Sequence, residues 1–127
     1  MAVTEAVENY LETILILSKL QPDVHAIDIC SYLGYSRPTV SVILKKMKDQ
    51  ELVKVDSENH ITLTEKGREV AENVYERHNI ISEMLMKLGV SKETALEDAC
   101  KLEHDLSDES FNALKEYFKK IMAEDSL

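Results

Sequence analysis

Glycine and proline are scarce in this chain, which has three glycines and two prolines among 127 residues. Because both residues favour turns and weaken helices, their scarcity favours a mainly α-helical protein with few tight turns. Cysteine is scarce as well: Cys30 and Cys100 lie far apart and do not form the pattern of a disulfide framework. We therefore expect the protein to reside in a reducing compartment.

Long hydrophobic runs are also missing from the sequence. No apolar segment approaches the roughly 20 residues that cross a membrane as a helix. The N-terminus lacks the basic start and the apolar stretch of a signal peptide. A chain of 127 residues suffices for one or two small domains with a real core. These features predict a cytoplasmic globular protein.

Acidic residues outnumber basic ones, and the formal net charge is −9. This balance argues against a protein that binds nucleic acid nonspecifically through its whole surface. The charge is uneven, because residues 89–127 carry a net −5 and residues 34–50 carry a net +3. The basic side chains of the second segment are Arg37, Lys45, Lys46 and Lys48. An acidic protein with one local basic surface is compatible with DNA binding.

Residues 1–63 have the pattern of a winged helix-turn-helix domain. Apolar side chains recur at helical spacing in 4–20, in 25–33 and after Ser36, with Gly34 as a suitable C-cap and Ser36 as a suitable N-cap. Two helices joined by such a short turn are typical of a DNA-binding helix-turn-helix. Short strands near 52–55 and 60–63 would add a two-stranded wing. A small α+β domain without a nucleic-acid role is the alternative.

The third helix presents short polar and basic side chains on the side away from its apolar stripe. Side chains of this kind suit a recognition helix, which contacts bases and phosphates in the major groove. The outward residues are Arg37, Pro38, Thr39, Ser41, Val42, Lys45 and Lys46.

Residues 64–127 form a helical second domain in this interpretation. Thr64 would cap a long helix at 65–88, whose heptad-like apolar stripe includes His78 at a core position. Two further helices are predicted at 92–104 and 108–123. The apolar stripe of the last one is too rich for an isolated helix, so it needs a partner surface on this chain or on a second copy.

Potential metal ligands cluster in the segment C-K-L-E-H. The spacing of Cys100, Glu103 and His104 places all three on one side of a predicted helix, in continuation of an apolar stripe. Thiolate, carboxylate and imidazole are ligands of first-row transition metals, and a buried carboxylate is costly unless paired or bound to a metal. The alternative is that the stripe simply ends at solvent. If their helices meet this one, Asn9, Glu12 and His78 would add ligands.

The sequence resembles the diphtheria toxin repressor and manganese transport regulator family of metal-dependent repressors, in the short form without an SH3-like domain. The resemblance covers almost the whole chain. It rests on N-Y-L-E-T-I at 9–14, S-R-P-T-V-S at 36–41, L-T-E-K-G at 63–67, V-Y-E-R-H at 74–78 and, most specifically, E-D-A-C-K-L-E-H-D-L-S-D-E at 97–109.

The resemblance implies a homodimer that binds palindromic operator DNA when loaded with Fe²⁺ or Mn²⁺ and represses genes for metal uptake. It implies that the last two helices supply much of the dimer interface. The implied metal ligands are Asn9, Glu12, His78, Cys100, Glu103 and His104. The implied DNA contacts are Ser36, Arg37, Pro38, Thr39 and Ser41.

The ligand set is a mixture of the two family types. Glu12 matches the manganese type and Cys100 the iron type, whereas position 9, usually Met or Asp, holds the neutral oxygen donor Asn9. Ser82 and Leu96 stand where some iron-type members have an ancillary Glu and His. Because a cysteine thiolate is a soft donor, Fe²⁺ is favoured with Mn²⁺ close behind, and Zn²⁺ or Co²⁺ would substitute.

The alternatives to a metal-dependent repressor are a metal-independent regulator and a small metalloenzyme. A winged-helix regulator that acts without metal would hold His78 in its core and leave the acidic residues to solvent. A small metalloenzyme with an open coordination position is disfavoured, because the sequence contains no nucleophile–base pair, glycine-rich phosphate loop or cofactor motif. We therefore predict that the protein is not an enzyme.

Overall fold

The computed structural model describes residues 3–125 and is mainly helical. The chain forms two compact units, and the boundary between them lies between Asn73 and Val74. The elements in chain order are α1 (Glu5–Leu20), α2 (Ala26–Leu33), α3 (Arg37–Asp49), β1 (Val53–Val55), β2 (Ile61–Leu63), α4 (Glu65–Lys87), α5 (Lys92–Leu102) and α6 (Asp108–Asp125). This arrangement confirms the predicted fold, a winged helix-turn-helix followed by a helical C-terminal part.

Local capping explains where the helices of the first unit begin and end. The Thr4 side chain accepts a hydrogen bond from Val7 N and starts α1. Gly34 closes α2 in the left-handed conformation, at a φ of 73° that glycine adopts without strain. The Ser36 hydroxyl then accepts from Thr39 N and starts α3. The helix-turn-helix is therefore encoded in a few residues between α2 and α3.

The wing is a short antiparallel hairpin in which Lys54 lies opposite Thr62. Its turn is held by Asp56, whose carboxylate accepts hydrogen bonds from the backbone N–H groups of Glu58 and His60. These bonds, of which the one from His60 has the largest effect, hold the pKa of Asp56 below its ordinary value. Strand β2 also joins the rest of the unit, because Ile61 N donates to Val24 O at 2.8 Å.

Helix α4 begins in close contact with the turn that follows α3. Thr64 caps the helix by accepting from Gly67 N, and it donates its hydroxyl to Glu51 O at 2.7 Å. A Cβ on Gly67 would lie 1.9 Å from Leu52 O, far inside any real contact. Only glycine fits this position, which explains the L-T-E-K-G segment in physical terms.

In the second unit, α4, α5 and α6 bury a small core around Ile81, Ala99 and Phe111. Helix α4 stops at Lys87, before Gly89 with its φ of 101°. Leu88, the last residue of the predicted helix 65–88, therefore lies outside α4 and is 81% exposed. None of the helices within residues 3–125 has both the length and the apolar character required to cross a membrane.

Helix α5 ends at Leu102, two residues before the predicted end. The chain tightens there, because Leu102 O accepts from the backbone N–H groups of both Asp105 and Leu106. The segment 103–107 is therefore a turn, which we call the ligand turn, and Ser107 starts α6 by accepting from Ser110 N.

Candidate metal centre and nucleic-acid interface

The second unit brings four of the predicted metal ligands together. His78 lies on α4, Cys100 lies on α5, and Glu103 and His104 lie in the ligand turn. The Nδ1 atom of His78 is 3.0 Å from Glu103 Oε2 and 3.8 Å from the sulfur of Cys100. The Nε2 atom of His104 is 3.3 Å from Glu103 Oε1. The Glu103 carboxylate therefore lies between two imidazoles.

Glu103 is the most unusual residue of this cluster, because its charged side chain is only 2% exposed. Its Oε2 atom is paired with His78. Its Oε1 atom is buried and accepts no hydrogen bond of proper geometry from any residue that the structure describes, although His104 Nε2 is near. Burying a carboxylate oxygen without a hydrogen bond is costly, so this atom needs a further partner.

Cys100 differs from its neighbours in exposure. The sequence predicted one helical side for all three residues of C-K-L-E-H, but the end of α5 at Leu102 leaves only Cys100 on the helix. Its side chain is exposed, whereas the side chains of Glu103 and His104 are buried. The thiol is thus the most exposed donor of the cluster, and His78 is half-buried.

Helix α1 in the first unit carries the other two predicted ligands. Asn9 and Glu12 are three residues apart, on one side of that helix, and both are half-buried. Neighbouring positions 10 and 11 are buried in the core of the unit, which fixes the orientation of α1. The structure therefore assigns Asn9 and Glu12 to the first unit and the remaining four to the second.

The chemistry of the four clustered residues fits a divalent transition metal. Two imidazoles, a carboxylate and a thiol supply nitrogen, oxygen and sulfur donors of the kind that Fe²⁺, Co²⁺ and Zn²⁺ accept. The buried Oε1 atom of Glu103 would gain the partner it needs. Ser82, by contrast, is buried and donates to Asn79 O of its own helix, and Leu96 is apolar, so neither extends the set.

Helix α3 forms a polar surface of the kind that binds DNA. Val40, Leu44 and Met47 are buried on one side, and the opposite side is exposed. The exposed predicted contacts are Ser36, Arg37, Pro38, Thr39, Ser41, Lys45 and Lys46. The hydroxyls of Ser36 and Thr39 are hydrogen-bonded to each other at 2.9 Å, so the cap also orders the start of this surface.

A cleft of about 460 Å³ separates α3 from the wing. Arg37, Lys45 and Lys48 line it on one side, and Glu58 and Asn59 of the wing line it on the other. Lys48 lies outside the set of DNA contacts predicted from the sequence. Its spacing of three from Lys45 was the available signal, since residues three apart on a helix share a side.

The start of α3 also contacts α1 through two tyrosines. The ring of Tyr35, just before the α3 cap, stacks on Tyr10 with centroids 6.2 Å apart. Burial raises the pKa of Tyr10 above its ordinary value, with further contributions from Tyr35 and Cys30. The Tyr10 phenol therefore stays neutral over an extended pH range, as a packing group should.

Two family models match the chain. Residues 2–61 match the iron-dependent repressor N-terminal DNA-binding domain, and residues 64–124 match the iron-dependent repressor metal-binding and dimerisation domain. Together they span nearly the whole sequence.

Individual proteins agree with these matches. The transcriptional regulator MntR of Escherichia coli O6:H1 is 33% identical over 116 residues, which cover 91% of this chain and 75% of that protein. An uncharacterised HTH-type transcriptional regulator of Methanocaldococcus jannaschii is 34% identical over 93% of this chain and 96% of its own. The solved manganese regulator SloR is similar at a TM-score of 0.79 and 30% identity, covering 94% of this chain and 55% of SloR. The chain thus spans about half the length of that structure.

Proposed function

The chain belongs to the family of iron-dependent repressors, which are transcriptional regulators, and we propose that it is a metal-activated repressor of metal-uptake genes. In this proposal residues 1–63 bind DNA and residues 64–127 bind metal and dimerise, in the cytoplasm. The observation that carries it is the Glu103 carboxylate, which is buried between two imidazoles and holds an oxygen in need of a partner. The same fold carries an exposed basic helix.

The metal ligands in the second unit are His78, Cys100, Glu103 and His104. A divalent cation at these donors supplies the positive charge that offsets the buried carboxylate and ties α4 and α5 to the ligand turn. The soft sulfur of Cys100 and the two imidazoles favour Fe²⁺, with Mn²⁺ next and with Zn²⁺ or Co²⁺ as substitutes. Metal availability then decides which ion is used.

We propose Asn9 and Glu12 as further ligands from α1. The half-buried Glu12 carboxylate and the amide oxygen of Asn9 are hard donors, which suit Mn²⁺ and Fe²⁺ better than softer ions. Metal affinity that falls on Glu12→Gln would support this assignment. Unchanged affinity in that variant would limit the ligands to the second unit.

The DNA contacts follow from the two surfaces of the first unit. The residues at the start of α3 contact base edges and nearby phosphates in the major groove, as in other recognition helices. The basic side of the cleft between α3 and the wing faces the phosphate backbone through Arg37, Lys45 and Lys48. The sequence read by these side chains is a palindrome if the protein is a dimer.

We propose a homodimer formed through α5 and α6. On α6, Phe111 and Phe118 are buried within the chain, whereas Leu114, Tyr117 and Met122 are exposed. Tyr117 is the most exposed of these three, at 67%. Leu114 and Tyr117 are three residues apart and share one side of α6, and exposed apolar side chains of this size are typical of an interface that a second copy of the chain would cover.

A regulator that acts without metal is the second candidate. The observation that favours it is the 3.0 Å contact between His78 Nδ1 and Glu103 Oε2, because this contact already gives one carboxylate oxygen a partner without any metal. Ser82 and Leu96 agree with it, since neither extends the ligand set.

Anaerobic selection of genomic fragments by the purified, reduced protein distinguishes the two candidates. We expect specific fragments to be enriched with Fe²⁺ or Mn²⁺ and lost with a chelator. Glu103→Gln should abolish this enrichment, whereas Glu97→Gln, an equal change of charge on an exposed residue of α5, should not. Equal enrichment with metal and with chelator would instead support the metal-independent regulator.

A further inference from the structure

We propose that Arg77 is a positioning residue of the metal centre, an inference that rests on the proposed function. Arg77 precedes the ligand His78 on α4, and only 5% of its surface is exposed. It lies three residues after Val74 and four before Ile81, which are both buried. Arg77 therefore lies on the apolar side of α4, and its guanidinium, rather than the His78 ring, lies in the interior of the second unit.

The guanidinium binds two carbonyls of the ligand turn and the first residue of α6. Its Nη1 donates to the backbone oxygens of Glu103, at 3.1 Å, and Leu106. Its Nη2 donates to the carboxylate of Asp108, the first residue of α6. One side chain thus holds the residue that carries the buried carboxylate, the end of the turn, and the start of the next helix.

These contacts meet a need that the end of α5 creates. The turn that follows α5 has no regular backbone ladder, and its Glu103 O and Leu106 O are bound by a side chain from α4 instead. Because Glu103 and His104 belong to this segment, Arg77 determines where their side chains can point. Its role is exerted through the backbone, not by contact with the metal.

Arginine is specifically suited to this position. Its planar fork donates several hydrogen bonds in fixed directions, which the single ammonium of lysine cannot do. The ring of Phe111 lies 5.0 Å from the guanidinium carbon and adds a cation–π contact. Asp108 supplies the opposite charge that a buried cation requires.

The test compares Arg77→Lys with Glu76→Gln in the full-length protein. Glu76 forms an exposed ion pair with Lys115, so its variant removes another contact between α4 and α6 and leaves the ligand turn intact. We expect Arg77→Lys to weaken Mn²⁺ binding about 10- to 100-fold, as loss of a residue that orients ligands does, and to alter the visible spectrum of bound Co²⁺. Glu76→Gln should change neither.

A metal-free readout accompanies these measurements. Amide hydrogen exchange of residues 103–107 in the metal-free protein should rise in Arg77→Lys and stay unchanged in Glu76→Gln, because the turn loses its anchor before any metal is added. A pair of exposed-site variants extends the test if Arg77→Lys folds poorly. Asp108→Ala should weaken Mn²⁺ binding more than Glu109→Ala, although both remove an acid from the first turn of α6.

The outcomes separate the two levels of the proposal. If the unmodified protein binds Mn²⁺ and Arg77→Lys binds it equally well with the same Co²⁺ spectrum, Arg77 has no positioning role. The same conclusion follows if Glu76→Gln weakens binding as much as Arg77→Lys. If the unmodified protein binds neither Mn²⁺ nor Fe²⁺, the proposed function fails, and the positioning role fails with it.

Discussion

Gly67→Ala is expected to destabilise the protein strongly, because the new methyl group meets backbone atoms. The added Cβ would lie 1.9 Å from Leu52 O and 2.9 Å from Leu52 C, so α4 must move away by about 1 Å or more. That movement strains the 2.7 Å bond from Thr64 to Glu51 O and the 3.0 Å bond from Thr64 N to Leu52 O.

The size of the effect follows from these contacts. Two hydrogen bonds contribute about 1 kcal/mol each, and overpacking costs about 1–3 kcal/mol. The better helix propensity of alanine offsets less than about 1 kcal/mol of this loss, because the position lies near a helix start. We therefore expect the free energy of unfolding to fall by about 2–4 kcal/mol, a large part of the roughly 5–15 kcal/mol of a typical domain.

Urea denaturation of Gly67→Ala, followed by circular dichroism, measures this loss as a lower midpoint at constant slope. Gly34→Ala is the matched control, since open space surrounds that position and only its φ of 73° opposes a side chain. It should cost about 1–2 kcal/mol through backbone strain alone. A Gly67→Ala protein as stable as the wild type, or more stable than Gly34→Ala, would refute the steric argument.

Three further predictions concern the wing, the thiol and the cleft. Because the pKa of Asp56 is lowered, its charged form stabilises the wing turn at pH values above the ordinary pKa of 3.8. This contribution is lost as the pH falls through the lowered pKa. The amide NMR shifts of the wing should therefore change as the solution is acidified, and Asp56→Asn should abolish this change. A variant with the same pH profile as the wild type would contradict the prediction. In the metal-free protein, peroxide should oxidise exposed Cys100 but not buried Cys30, which mass spectrometry would show. The oxidation should also lower the affinity for Mn²⁺. An undiminished affinity after oxidation would exclude Cys100 as a ligand. Lys48→Gln should reduce the salt dependence of operator binding by about one unit of slope, and an unchanged slope would remove Lys48 from the DNA contacts.

Much of the fold was predictable because its signals are local. Gly34 and Ser36 mark the helix-turn-helix by the backbone angles and hydrogen bonds that each residue type prefers. The wing strands differ from the predicted ones by a single residue at their starts, Val53 and Ile61. Each of these features depends on neighbours within a few positions, which the sequence displays directly.

The details of the metal centre were less predictable because they depend on distant contacts. The hydrogen bond that fixes the ligand turn joins Arg77 to a carbonyl 26 residues away, so helical periodicity alone extended α5 through His104. The same periodicity placed His78 in the core, whereas the structure buries Arg77 and leaves His78 partly accessible. The donor types were visible in C-K-L-E-H, but their different exposures were not.

The hydrogen bonds from Arg77 to Glu103 and Leu106 end on main-chain oxygens. Every amino acid has such an oxygen, so the support of the ligand turn is independent of which side chains the turn carries. A substitution at 103 or 104 would exchange one donor atom for another on an unchanged backbone. Metal preference in this protein can therefore diverge by single mutations, without a new fold for each new ion.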